Sequence, residues 1–317
     1  MILDYLGVLA GLSLLVYGAD RFVIGAANIA RNLGVTPLII GLTIVGIATS
    51  APEILVGSAA ALDGKTEIAI GNAIGSNIAN IGMVLGISIL VVPVTISSRT
   101  LRREYGLMFL SSVLTTILLA DRELSRPDSL ILLMSLVAIL TWIVHIARQT
   151  RKSDALAKEY EHELARKMTT GKSTLILLLG LAMLLGGSEL LVDCAVNIAR
   201  YFGISDLVIG LTIVAVGTSL PELAASLMSV IKNEADIAVG NVIGSNMFNM
   251  LAVVGIPGLI HPSGFGEEVV YRDLPVMFGM TLIMGGMVFF KNKGRFGRIE
   301  GGFLLLCFVV YQFSLFA

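Results

Sequence analysis

The sequence predicts an all-α membrane protein: ten transmembrane helices in two inverted five-helix repeats, with broken helices at the midplane. Three observations carry that expectation. Of 317 residues, 56% are hydrophobic and only 14% charged, with a mean hydropathy of +0.88. Soluble domains carry about 25% charged residues, so this chain lacks the polar surface to cover itself in water. Apolar runs of about 20 residues, the length that crosses a bilayer, recur from end to end. Third, a shift of 169 residues lays one half of the chain on the other.

Polar breaks delimit spans at roughly 2–31, 35–62, 68–93, 104–120, 128–148, 173–201, 205–231, 237–260, 273–290 and 298–316. The opening MILDYLGVLAG has no basic stretch before its apolar run, so it is expected to be the first membrane helix and not a cleaved signal. The charged stretch Gln149–Lys172 divides the chain into a first repeat (1–148), a linker (149–172) and a second repeat (173–317). Its KEYEHELARK segment is expected to be a solvated connector.

Alternate loops differ sharply in charge: sixteen Lys and Arg fall on one side and five on the other. The positive-inside rule places the richer set, linker included, in the cytoplasm and both termini outside. A net charge of −1 with no basic stripe speaks against a nucleic-acid partner. Cys194 and Cys307 lie far apart without metal or redox spacing and read as small apolar side chains.

The repeat is densest in two segments. GLTIVGIATSAPE (Gly41–Glu53) falls on GLTIVAVGTSLPE (Gly210–Glu222), identical at nine of thirteen positions, and GNAIGSNIAN (Gly71–Asn80) falls on GNVIGSNMFN (Gly240–Asn249). Five spans per half is an odd number, so the halves must enter the membrane in opposite senses. Many secondary transporters are built this way, with their site at the midplane between the halves.

The chemistry follows from what sits in these spans. Pro52 and Pro221 lack an N–H and should free the carbonyls of Ala48 and Gly217, four residues back. Inside a bilayer such carbonyls need a cavity or a ligand. Thr49 and Glu53 share a helix face, as do Thr218 and Glu222. Asn72, Ser76 and Asn80 form a polar stripe at intervals of four, and Asn241, Ser245 and Asn249 form its twin. Gly71/Gly75 and Gly240/Gly244 have the small-xxx-small spacing of close helix approach.

This inventory is hard oxygen, without Cys or His, and so suits Ca²⁺ and Na⁺ rather than zinc or copper. Two carboxylates can hold one Ca²⁺ or a few Na⁺, but not both loads together. A lone intramembrane Glu is as readily a protonated or paired bundle residue. Two at equivalent positions, each after T-S-x-P, favour a functional site, because buried acids are expensive. Asp20 and Glu189 also match across the repeat, but lack a helix break and hydroxyl neighbours, so structural or vestibule roles are expected. His145, His162 and His261 are expected to be solvated, and Gly171-Lys172-Ser173 lacks the first glycine and the strand of a P-loop.

The paired G-T-S-x-P-E and G-N-x-I-G-S-N segments resemble the cation/calcium exchanger superfamily, and within it the prokaryotic sodium/calcium exchangers. The resemblance spans essentially the whole chain. It implies alternating access by sliding of the first and sixth helices against a fixed core. It also implies Glu53 and Glu222 as the central Ca²⁺ ligands, shared with Na⁺. Thr49 and Thr218 would lend backbone carbonyls to Ca²⁺, and Ser50, Ser219, Ser76 and Ser245 would serve flanking Na⁺ positions. Gly46 and Ala215 match positions offering carbonyls to Na⁺, and Asn80 and Asn249 match the polar positions flanking the carboxylates. Ala48 and Ala51 stand where glycine and leucine are usual, a small apolar change. Some relatives carry aspartate at the position of Asn249, an acid associated with K⁺ transport in the potassium-dependent branch.

The expected function is therefore K⁺-independent Na⁺/Ca²⁺ antiport, with Ca²⁺ and Na⁺ as transported ions, no cofactor and no enzymatic activity. H⁺/Ca²⁺ antiport on the same fold is the competing expectation. An intramembrane enzyme is the remote one, since no span carries HExxH or a serine with a buried histidine. The expected location is a prokaryotic inner membrane, in contact with the lipid bilayer, with a monomer sufficient for transport.

Overall fold

Glycine, asparagine and proline punctuate the helices at positions related by the repeat. Gly34 and Gly203 end the first helix of each half with φ of 64° and 76°, a left-handed conformation that costs glycine nothing. Gly64 and Asn233 do the same one hairpin later, with φ of 74° and 61°. Pro52 and Pro221 occupy the first turn of the helices they open, where a missing N–H goes unnoticed.

The computed structural model describes residues 2–95, 98–153, 168–203, 215–290 and 295–315. The first half comprises α1 (Ile2–Leu33), α2 (Pro37–Thr49), α3 (Ala51–Leu62), α4 (Thr66–Val91), α5 (Ser98–Leu118) and α6 (Arg126–Ser153). The second comprises α7 (Thr170–Tyr201), α8 (Ala215–Thr218), α9 (Leu220–Ile231), α10 (Ala235–Ile260), α11 (Val269–Phe289) and α12 (Arg298–Ser314). Among the described residues six helices are long and apolar enough to cross a membrane, or seven if the bent pair α2–α3 counts as one.

The sequence placed the helix boundaries around the linker at 148 and 173, whereas α6 runs on to Ser153 and α7 begins at Thr170. Lys, Arg and Gln are good helix formers, so a helix continues into water past the end of its apolar run. Residues 154–167 of the linker, and 205–214 of the seventh expected span, lie outside the described residues.

Four two-residue strands depart from the all-α expectation: β1 (Val94–Thr95) pairs antiparallel with β4 (Arg295–Phe296), and β2 (Glu123–Leu124) with β3 (Ser263–Gly264). Two residues are too few to carry a period-two signal in sequence.

The centre of the bundle is α4 and α10. The most apolar stretch of α10 is wholly buried and that of α4 is 78% buried, against 22% for α1 and 28% for α7. Helices α1 and α7 lie outside this core, packed on each other through a seam of small residues. A Cβ on Gly18 would sit 2.6 Å from the Leu184 amide, and one on Gly180 only 2.3 Å from that of Phe22. Such backbone approach is how membrane helices gain dispersion contacts without a hydrophobic driving force. Leu3, Leu9, Leu175 and Leu178 point outward and exposed, as lipid-facing side chains do.

Residues 169 apart meet at the heart of the core. The Asn77 amide nitrogen donates to the Asn246 carbonyl at 3.2 Å and lies 3.8 Å from Met277 Sδ. The Asn246 amide nitrogen lies 3.7 Å from Met108 Sδ, the repeat mate of that contact.

Candidate ion site

Each half delivers its motif on a helix interruption. In the first, α2 ends at Thr49, Ser50 breaks the helix with ψ near 3°, and α3 leaves at 40° carrying Glu53 in its opening turn. In the second, Ser219 breaks the helix with ψ near 4° and Glu222 opens α9. Helix α4 loosens into a π-helical stretch at Asn80–Leu85, and α10 does so at Asn249–Val253. Both begin on the predicted asparagine, and π-turns cluster at functional positions.

These interruptions bring most of the predicted site residues into the interior. Glu53 and Glu222 are each 1% exposed, and Thr49, Ser50, Ser76, Asn80, Ser219, Ser245 and Asn249 are all buried. Gly46 is buried, and an added Cβ there would lie 3.1 Å from the Gly244–Ser245 peptide. Thr218 is half-buried. Ala215 opens α8, and its side chain and the preceding residues 204–214 lie outside the described set.

What these atoms lack is decisive. Ser50 Oγ, Glu53 Oε2, Asn80 Oδ1, Ser219 Oγ, both Glu222 carboxylate oxygens and Asn249 Oδ1 are buried with no hydrogen-bond partner among the described residues. They fall into three repeat-related pairs: serine, glutamate, asparagine. Among the described residues no ion pair involves either glutamate. A buried polar atom left unpaired costs roughly 1–3 kcal/mol, and more if charged, and a bound cation is one way to offset that cost for such a set of oxygens. No described group of three His, Cys, Asp or Glu forms a metal cage. Two carboxylates must be completed by hydroxyls, amides and carbonyls, which is hard-cation chemistry.

Sequence reasoning missed a supporting network. The Thr49 hydroxyl donates to Asn241 Oδ1 at 3.1 Å and lies 3.3 Å from Ser245 Oγ. The Asn241 amide nitrogen donates to Ser226 Oγ at 2.9 Å and to the Glu222 carbonyl at 3.4 Å. The Asn241 side chain is thus spent on holding α2, α9 and α10 together. The Gly217 carbonyl freed by Pro221 is also engaged, accepting from Ser188 Oγ of α7 at 3.1 Å, which meets one of its two lone pairs.

Gly240 and Gly244 bear out close approach: an added Cβ would meet the Leu38 and Leu42 carbonyl oxygens at 2.4 and 2.2 Å. Gly71 and Gly75 have no described neighbour within 4 Å. Asp20 pairs with Lys232, as a structural role requires, and Glu189 is exposed.

A helical bundle with bilayer-length apolar spans, enclosing paired oxygens that lack internal partners, defines a membrane ion transporter. The sequence model of the sodium/calcium exchanger protein family matches residues 3–145 and 172–317; the chain belongs to that family, a family of transmembrane antiporters and not of enzymes. It is 46% identical to CaxA of Alkalimonas amylolytica, covering all of both chains. It is 42% identical to the inner membrane protein YrbG of Escherichia coli, over 97% of this chain and 96% of that one. The solved structure of the sodium/calcium exchanger from Methanococcus jannaschii superposes with a TM-score of 0.83 at 34% identity, covering 98% of this chain and 97% of the other.

Proposed function

We propose that this protein exchanges Na⁺ for Ca²⁺ across a prokaryotic inner membrane by alternating access, without K⁺. The observation that carries the reading is the set of repeat-paired, unpartnered oxygens at Ser50/Ser219, Glu53/Glu222 and Asn80/Asn249. Two carboxylates balance one Ca²⁺, and the same oxygens accept Na⁺, so each ion excludes the other and exchange follows. Thr49, Thr218, Ser76, Ser245, Gly46 and Ala215 complete the proposed ligand set. Asn249 keeps an oxygen but adds no charge for a K⁺ to balance.

The architecture proposed with it is ten spans in two inverted repeats, 1–148 and 173–317, joined by the cytoplasmic linker 149–172, with both termini outside. The strand pairs support inversion. Helix α5, with 21 residues, is about 31 Å long at 1.5 Å per residue, so β1 and β2 flank it at opposite ends of the bundle. The 169-residue shift carries β1 onto β3 and brings β4 to within three residues of β2. One clasp is therefore the image of the other at the far face. A monomer contains every ligand named, and the lipid bilayer is its solvent.

Radioactive Ca²⁺ uptake into proteoliposomes under imposed Na⁺, H⁺ or K⁺ gradients tests this. Uptake is expected to follow the Na⁺ gradient alone and to be unchanged when K⁺ is removed. Uptake driven by a pH gradient without Na⁺ would assign the protein to H⁺/Ca²⁺ exchange instead.

A further inference from the structure

Helices α5 and α11 are mates under the 169-residue shift, which lays Arg103-Glu104 on Arg272-Asp273. They pack on each other through a pair of mates: the Phe109 and Phe278 rings meet edge to face at 6.1 Å between centroids. The two ends of this one interface can therefore be compared position by position.

At the end where α5 begins and α11 finishes, Tyr105, Gly106, Phe109, Leu282, Gly286 and Phe289 line an open groove of about 350 Å³. Glycine shapes its floor. Tyr105 lies across Gly285, where an added Cβ would come 2.2 Å from the phenol oxygen, and its hydroxyl donates to the Thr281 carbonyl at 2.9 Å. On Gly106 and Gly286 an added Cβ would meet no described atom within 4 Å. Phe109 and Phe289 flank the Tyr105 ring at 6.2 and 5.7 Å, and Phe289 and Leu282 are exposed.

Arg102 stands at the mouth. It is exposed and lies four residues into α5, about 6 Å along the axis. Its guanidinium sits over the Phe289 ring at 5.6 Å and donates to the Phe289 carbonyl at 3.4 Å. Neither contact cancels its charge, and among the described residues no carboxylate pairs with it. Arg103, by contrast, is bound to Glu104 and lies over Trp142. The sequence flanking the two helix ends adds Arg99, Lys291 and Lys293.

The mates at the other end supply none of this. Tyr271 replaces Arg102, Pro275 replaces Gly106, Thr116 and Ile117 replace Gly285 and Gly286, and Ala120 replaces Phe289. Acyl chains coat any apolar helix face, whereas a groove with a cation at its mouth, built at one end only, suits a molecule with an anionic head and an apolar tail.

We propose that this groove holds one anionic glycerophospholipid, with its phosphate on Arg102 and an acyl chain along Tyr105, Phe109 and Phe289. In the orientation proposed above, its leaflet is the cytoplasmic one. Basic pockets between helices on that side receive anionic head groups, and one Lys or Arg near the surface changes such binding by about fivefold.

Native mass spectrometry of the full-length protein, with phosphatidylglycerol and phosphatidylcholine of matched chain length in competition, tests this. The expected result is one retained phosphatidylglycerol per chain, preferred about fivefold or more over phosphatidylcholine. R102Q should remove most of that preference and R102K should keep it. R126A, which removes an exposed cation at the opposite end of the bundle, should leave it unchanged. G286L fills the groove without altering charge and should lower lipid retention as much as R102Q does. Glycerol phosphate, the head group without chains, should fail to displace the lipid. Displacement by it would make this a site for free phosphate and overturn the proposal. Equal retention of the two lipids, a preference that survives R102Q, or a dimer that G286L dissociates would overturn it as well.

Discussion

The two halves of the proposed ion site carry the same side-chain oxygens on different scaffolding. Around Glu222, Ser226 holds Asn241, Asn241 holds Thr49, and Ser188 holds the Gly217 carbonyl. Around Glu53 the matching positions are Gly57, Asn72 and Ala19, and the buried Asn72 amide nitrogen has no partner among the described residues. Side chains proposed to touch ions are kept in pairs, whereas the bracing serines Ser226 and Ser188 are not. The symmetry of the site is thus a symmetry of oxygen positions, and its rigidity is unevenly distributed between the halves.

Substitutions at mates can break or sharpen this contrast. The largest effect is expected where the halves agree. E53Q and E222Q each remove half the charge that balances Ca²⁺, and ligand charge tunes Ca²⁺ affinity over several decades. Each should therefore weaken Ca²⁺ transport by roughly a hundredfold or more in proteoliposome uptake.

Next come the glycines. G244A places a methyl 2.2 Å from the Leu42 carbonyl oxygen, so a loss of about 1–3 kcal/mol is expected from overpacking, read as a lower unfolding temperature. G75A, with no described atom within 4 Å, should leave that temperature within experimental error. Equal losses in the two would erase the contrast.

The braces should give smaller, one-sided effects. S226A strands one N–H of the Asn241 amide, which keeps its bond to the Glu222 carbonyl, and should cost about 1–3 kcal/mol of stability, with a severalfold rise in the Ca²⁺ concentration for half-maximal uptake. S226T should rescue most of the loss. S188A removes a single bond to the Gly217 carbonyl and should cost only about 1 kcal/mol, measured by thermal unfolding.

Much of this was legible in the sequence, because a membrane imposes simple rules. Apolar length marked the helices, and the T-S-x-P-E and G-N-x-I-G-S-N repeats marked Glu53, Glu222, Asn80 and Asn249 before any geometry was known. Asn77 and Asn246 escaped notice because they lie off the polar stripe, although their identity across the repeat was a usable signal. Ser226 and Ser188 had no such signal: their mates are Gly57 and Ala19, so comparing halves discards them. The Arg31–Glu234 pair was hidden for a related reason: its two charges come together only across some two hundred residues of chain.

The central claim is a single oxygen site between Glu53 and Glu222 that Ca²⁺ and Na⁺ occupy in turn. Calorimetric titration of Ca²⁺ into the purified protein, first without Na⁺ and then at rising Na⁺, tests it most directly. The account predicts Ca²⁺ binding that Na⁺ competes away, and that is lost in both E53Q and E222Q. Ca²⁺ affinity indifferent to Na⁺, or retained in either variant, would contradict it.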